Sequence, residues 1–534
     1  MSVHLSPAPT KDCNAVCQTA DVRRILQCGL ACQFDGHFED ACGCYRHVLT
    51  LKPKHFDALH MLGVLAIQTQ HLAEAVTLIA EAVTENPNIA AAHRNYALAL
   101  HNVGRKAEAI DCYERSIALE PTFCDAYVHL AGLLVEVGQS ERALSWCDEG
   151  LKLHARDPFL HLSRAVALRA RERLPETLIS CEKAISLRPT CAEAWDKRGA
   201  ALQELGRPQE ALQSFALAVE LRPDFSAAYH HAGLVYLQTG QFSPGWELLE
   251  HRDQARRDFG RARWHPKTHV EGVRVLLHSE QGLGDTLQFC RYASLVAACG
   301  AQVTLMVQQP LLGVMKTLCS GITVIADTPN PPPSDLQCPL MSLPHAFRTS
   351  ATSIPAKIPY LAAERRRVIE WRERLGQSGF KIGICWHGSG LPAAVGRAFP
   401  LGALAPIAQV PGVRLLSLQK GLGIEQLKQL PQDMCIEQLG PQFDAGETGF
   451  LDTAAVMECL DLIITCDTSV AHLAGALGRP TWIVLKHVSD WRWLTDRDDT
   501  PWYSSVRLFR QSSPGDWEGV FDAIRGNLAN RGSA

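Results

Sequence analysis

The chain has 534 residues, 46% hydrophobic and 20% charged, with a formal net charge of −4 and a sequence pI near 6.6. This balance describes a globular protein of about three to four domain-sized units. It supplies no global electrostatic drive toward nucleic acid or an anionic membrane surface. The 19 cysteines form no CxxC…CxxC array of the kind that holds zinc. The N-terminal residues carry no secretion pattern, and no apolar run reaches ~18 residues. The expectation is a protein of the reducing cytoplasm with no transmembrane segment.

Residues 19–255 read as seven tetratricopeptide repeats. Gly29, Gly63, Ala97, Ala131, Ala165, Gly199 and Gly233 stand 34 residues apart. Twelve positions further on come Ala41, Ala75, Ala109, Ala143, Thr177, Ala211 and Gly245, nearly all small. A period of 34 with two small positions predicts two antiparallel helices per unit, close-packed where the small residues meet. Gly36, Gly104, Gly138, Gly206 and Gly240 fall where the first helix must end in a left-handed residue. Pro53, Pro87, Pro121, Pro189 and Pro223 mark the start of the next unit, since proline tolerates only the first turn. The fifth repeat departs from this pattern: Ala155 and Glu172 replace its proline and glycine, and Pro158 comes three places late. Such an array predicts a superhelix whose concave face takes a protein or peptide, and Asn95 and Asn102 lie on one helix face as candidate contacts for a peptide backbone.

Residues 256–272 are expected to form a linker or capping segment. From Val273 the texture changes to short apolar runs alternating with helical stretches. VRVLLHS (273–279), QVTLMV (302–307), ITVIAD (322–327) and CPLMSLP (338–344) predict strands of a first Rossmann-like unit, residues 273–376. A second unit, residues 377–530, begins with KIGICWHG and continues through VRLLSLQ (413–419), DLIITC (461–466), PTWIVLK (480–486) and VRLFRQ (506–511). The fold class is therefore an α tetratricopeptide superhelix plus α/β, with ligands expected at the carboxyl ends of the strands.

Candidate site residues cluster at those ends. Asp285 follows Gly282 and Gly284 at the start of a helix, a placement that suits either a cap or a base. Asp467, Thr468 and Ser469 end a strand and open a helix, with His472 one turn on. This suits either capping or phosphate binding, because a helix N-terminus offers unpaired amides and partial positive charge. His472 also reads as a packed core residue. His387, Gly388 and Ser389 form a glycine-rich turn after another strand. Gln419 and Lys420 end the strand LLSLQ. Asp490 and Trp491 occupy a later loop, where a ring either stacks on a ligand or joins a domain-closing cluster.

The ordered set EQGLGDTLQF, CWHGSG, SLQKG, DTSVAHLAGALGRPTWIVL and DWRWL resembles glycosyltransferase family 9, the heptosyltransferase-like enzymes, in a subgroup carrying tetratricopeptide repeats. The resemblance implies a GT-B arrangement of the two Rossmann-like units. It also implies a nucleotide-sugar donor as substrate, held mostly by the second unit, with no metal and no other cofactor. It assigns Asp285 as general base on an acceptor hydroxyl, with Glu280 in the same loop as its rival. It places Arg397 against the leaving diphosphate and Gln419 and Lys420 near the base or ribose. The expected function is inverting, metal-independent transfer of a hexosyl- or heptosyl-type sugar to an acceptor, such as a protein recruited by the repeats. The segment LPAAVGRAFPL is poor in polar residues compared with the family, which leaves open a non-catalytic adaptor with a degenerate second half.

Overall fold

The computed structural model describes residues 21–252, 258–264, 268–388, 396–446 and 449–531. Residues 19 and 20 of the expected array, and Ser389 of the expected site, lie outside them. The chain divides into two compact units that meet between Lys197 and Arg198, inside the helix Ala192–Glu204.

Among its described residues the first unit contains five helical hairpins, from Val22–Phe34 with Phe38–Leu51 through Pro158–Ala170 with Leu174–Leu187. The small positions do what their spacing predicts. A Cβ added to Gly63 would stand 2.4 Å from Cγ1 of Ile79 on the partner helix. The turn position is left-handed even where glycine is absent, with φ of 63° at Gln70 and 58° at Glu172. Pro158 sits at the first helical position of its repeat, and Asp157 caps that helix by accepting the Leu160 N–H at 2.8 Å. Asn95 is buried and its amide lies 2.9 Å from Nε2 of His60, so it is engaged within the array, whereas Asn102 is exposed.

The second unit opens with the helices Pro208–Leu221, Ser226–Gln238 and Phe242–Leu249 and continues into two sheets. The first sheet contains β1 (Ala262–Arg263), β2 (Arg274–His278), β3 (Gln302–Val307), β4 (Thr323–Ala326) and β5 (Leu336–Pro339), in the order β1-β5-β2-β3-β4. The second contains β6 (Phe380–Cys385), β7 (Val413–Ser417), β8 (Ile436–Gln438), β9 (Leu462–Cys466), β10 (Thr481–Leu485) and β11 (Val506–Arg510), in the order β11-β10-β9-β6-β7-β8. Every pairing is parallel. Counted from its own first strand, the second sheet has the doubly wound order 3-2-1-4-5-6. All five residues of β9 and of β10 are buried, as expected of strands covered on both faces.

The structure departs from the sequence reading in three places. The segment expected as a linker contributes β1, which pairs with Leu336 and Gln337 at the edge of the first sheet. The strand expected at residues 338–344 begins earlier and stops at Pro339, and the helix Leu343–Ala346 follows with Pro344 in its first turn. β8 has only three residues, too few to produce a readable alternation. One buried apolar cluster unites Leu237, Trp246 and Leu249 of the last repeat with Leu277 and Phe289 beside the first sheet and Ile463, Trp491 and Trp502 of the second. Among the described residues, no helix is long and apolar enough to cross a membrane.

Candidate functional site

The strand order reverses between β2 and β5 in the first sheet and between β6 and β9 in the second. Loops leaving neighbouring strands diverge at such points and leave the crevice where doubly wound sheets hold ligands. The segment after β2 carries Glu280 and Gly282 in its loop and Gly284 and Asp285 in the first turn of the helix that follows. The loops after β6 and β9 carry His387, Gly388 and Asp467–Ser469. The last two loops approach closely, since a Cβ on Gly388 would lie 3.4 Å from Cγ2 of Thr468.

Gly282 caps the helix Leu283–Phe289, and Asp285 sits in its first turn rather than at the cap. Its Oδ2 reaches back to accept the Gly282 N–H at 2.9 Å, which fixes the carboxylate's direction. Its Oδ1 accepts from Arg492 Nη2. Arg492 Nε donates to Oε1 of Gln288 at 2.6 Å, and its Nη1 to Oδ1 of Asp490 at 2.8 Å. The other Asp490 oxygen accepts from Arg397 Nη2 at 2.9 Å. Arg397 Nη1 then lies 3.1 Å from Oδ2 of Asp467, close enough for an ion pair but without the alignment of a hydrogen bond. The result is a ladder of alternating sign, Asp285–Arg492–Asp490–Arg397–Asp467, that joins the switch points of the two sheets.

Burial and neighbouring charge compete along this ladder. Burial raises the Asp490 carboxyl, but Arg492 and Arg397 outweigh it and hold the group down at about 2. For Asp467 burial wins and the carboxyl is raised, with Arg397 opposing. Burial works against the charge of Arg492, yet Asp490 and Asp285 keep its guanidinium above its ordinary value. A small recess lies beside the ladder, lined by Arg397, Asp467, Lys486, Ser489 and Asp490 among others.

The remaining candidates fall into distinct environments. Glu280 is buried, and both its oxygens are bound by Arg252, at 3.0 and 2.6 Å. It is therefore held in an internal ion pair, which leaves Asp285 as the carboxylate of this loop that reaches the crevice. Thr468 caps the helix Ser469–Ala476 by accepting the Val470 N–H at 3.2 Å. His472, in the first turn of that helix, is buried. Its Nδ1 lies 2.9 Å from the Tyr503 hydroxyl, and its ring stacks on Trp493 at 5.5 Å. Burial, reinforced by Arg492, lowers its pKa well below the usual histidine value, so it is a neutral packed residue. A Cβ on Gly284 would meet the His472 ring at 2.8 Å, so this glycine lets the two halves touch.

Gln419, just past β7, is buried. Its Oε1 accepts the amides of Trp386 and His387 at 3.1 and 3.0 Å, and its Nε2 donates to the carbonyls of His387 and Leu422. It thereby clamps the β6 loop. His387 lies half-buried with its Nδ1 2.8 Å from the Gly388 carbonyl. Lys420 donates to the carbonyls of Phe443 and Asp444 at 2.7 Å each. Trp491 is buried against Trp246, Phe289 and Trp502, so it closes the domain core rather than presenting a face to a ligand. Sequence reasoning missed Arg492. It lies within the DWRWL segment, but Asp285, its partner beside the other sheet, is 207 residues away in the chain, and no local pattern reports that distance.

The fold and the crevice define a class: a tetratricopeptide array joined to a pair of doubly wound parallel sheets with a charged bridge between their switch points. The family model for glycosyltransferase family 9 (heptosyltransferase) matches residues 407–485, and tetratricopeptide repeat models match residues 60–122 and 192–225. The protein FlbA of Caulobacter vibrioides is 25% identical over 511 residues, covering 90% of this chain and 80% of its own. Human tetratricopeptide repeat protein 7A is 30% identical over 127 residues, 24% of this chain and 15% of its own. Among solved structures, YrrB, described as a tetratricopeptide protein with an unusual peptide-binding site, is 18% identical with a TM-score of 0.30 and covers 35% of this chain and 96% of its own. A tetratricopeptide repeat protein from Parabacteroides merdae is 14% identical with a TM-score of 0.39, covering 44% and 94%. The chain thus carries tetratricopeptide repeats and a glycosyltransferase family 9 segment, which supports a glycosyltransferase with a tetratricopeptide region. The matched segment includes Gln419, Lys420, Asp467, Thr468, Ser469 and His472; Glu280, Asp285, Arg397, Asp490 and Trp491 lie outside it.

Proposed function

We propose that this protein is an inverting, metal-independent glycosyltransferase that takes a sugar from a nucleotide-sugar donor and passes it to a protein acceptor recruited by the repeats. The observation that carries this reading is the placement of Asp285 and Arg397 on facing switch-point loops, joined through Arg492 and Asp490. Asp285 takes the proton of the acceptor hydroxyl while that oxygen bonds to the anomeric carbon. The bond from that carbon to the diphosphate breaks, and its electron pair leaves with the diphosphate. Arg397 and the amides opening the helix Ser469–Ala476 face the negative charge that develops. For this to happen the diphosphate takes over guanidinium contacts now made by Asp490 and Asp467. Gln419 supports the site by holding the β6 loop, and His472 by filling the space beneath Gly284.

A direct test is to incubate the full chain with a panel of nucleotide sugars and follow donor hydrolysis and calorimetric binding. Binding of one donor together with slow hydrolysis is expected. A second reading, a non-catalytic adaptor, is favoured by one feature: the charged groups of the ladder are already paired with one another. No binding across the panel, with tight peptide binding by the repeats, decides for the adaptor.

A further inference from the structure

The seventh repeat, Ser226–Gln238 with Phe242–Leu249, does more than end the array. Just past its second helix, the buried Arg252 sets its guanidinium fork on Glu280. Glu280 also accepts the Met341 N–H at 3.2 Å, and two residues later comes Gly282, whose amide holds Asp285. On the other side of the crevice, the buried Gln238 donates from Nε2 to the Ser489 carbonyl at 2.7 Å. Trp246 donates from Nε1 to the Thr349 carbonyl at 3.0 Å, and its ring stands edge-on to Trp491 at 5.3 Å. The Arg492 guanidinium lies over the ring of Trp491, 4.4 Å from its centroid. Ser489 and Trp491 flank Asp490 in the chain, so the repeat grips both loops that meet in the charged ladder.

We propose that Gln238, Trp246 and Arg252 are positioning residues of the crevice. They hold the Glu280–Asp285 loop and the Ser489–Arg492 loop at the spacing that lets Arg492 reach Asp285. The last repeat is then a working part of the catalytic unit, while the repeats before it are left to recruit the acceptor. Only the word catalytic here rests on the transferase reading; the mechanical coupling does not.

Three variants of the full chain test it: Gln238→Leu, Arg252→Gln and Arg252→Lys. Trp246 is left intact because its truncation would open a cavity in the shared core. Backbone hydrogen exchange is measured in peptides covering 279–289 and 488–494, with β9 as the internal reference. Losing a buried hydrogen-bond partner is expected to speed exchange about tenfold, at 488–494 for Gln238→Leu and at 279–289 for Arg252→Gln, with β9 unchanged. Arg252→Lys keeps the charge but loses the fork, so it restores only part of the protection. In turnover, kcat is expected to fall about tenfold with the donor KM within about twofold, because geometry rather than affinity is disturbed. Unchanged exchange in both loops, or equal acceleration in β9, overturns the proposal. If the native protein binds and turns over no donor, the transferase reading fails, and the exchange data still decide the coupling.

Discussion

Arg492 forms an ion pair with Asp285 that crosses from one parallel sheet to the other. The same guanidinium also binds Asp490 and Gln288, so one side chain sets the distance between two loops from different halves of the fold. The aspartate proposed as base and the arginine proposed to meet the leaving group are therefore mechanically linked.

Asp285→Asn keeps the reach back to Gly282 but removes the base. Transfer is expected to fall roughly 10²–10⁴-fold, the usual contribution of a positioned general base. Donor affinity by calorimetry is expected to stay within a few-fold of native, because Arg397 and the Thr468 helix are untouched. Retention of native turnover would remove Asp285 from the mechanism.

Arg492→Leu leaves Asp285 and Asp490 without their shared cation in a largely buried setting. Breaking a buried pair from one side costs about 3–5 kcal/mol, and urea unfolding should show a loss in that range. A change below ~1 kcal/mol would mean that the ladder is solvated in solution.

Acid should destabilise the second unit in two stages. Unfolded His472 titrates near ~6.5, whereas the folded protein holds its pKa well below that. The unfolded state therefore binds more protons below that pH. The contribution of His472 is complete above about pH 6.5 and declines as pH falls, by up to about 1.4 kcal/mol per pH unit. Asp490 acts lower: its carboxyl sits at about 2 when folded, so its contribution is present above about 3.9 and is lost as pH falls toward the folded value. Nine of the eleven tryptophans lie in this unit, so their fluorescence reports on it in urea titrations at stepped pH. In His472→Gln, stability should be nearly flat between about pH 6.5 and about pH 5; an unchanged slope would refute the assignment.

Glu172 adopts φ 58°, a left-handed conformation that costs an L-residue with a Cβ about 1 kcal/mol or more. Glu172→Gly relieves this at an exposed turn and should raise the stability of the first unit by about that amount in thermal melts followed by circular dichroism. A destabilised variant would show that the side chain makes a compensating contact.

The repeat period was readable because each of its positions answers a steric demand that recurs every 34 residues. Most sheet strands were readable because burial on both faces leaves them uniformly apolar. β1 and β8 were not, since two- and three-residue segments carry no pattern and are fixed by their partners. The site was legible as loop positions but not as contacts. Asp285, Arg397, Asp467 and Asp490 were singled out from the sequence, yet Arg492, which links Asp285 to Asp490, was passed over between two tryptophans. Glu280 is equivalent to Asp285 by sequence position alone, and Arg252, 28 residues earlier, occupies its carboxylate in the fold. Gln419 reads from the sequence as a ligand contact, and its hydrogen bonds to the neighbouring loop have no local signature.

Because Trp246 and Leu249 belong to the same buried cluster as both sheets, the last repeat is anchored in the core of the second unit. Deletion of that repeat removes Gln238, Trp246 and their hold on the loops. The last repeat and the two sheets thus share one buried core, so they fold or fail together.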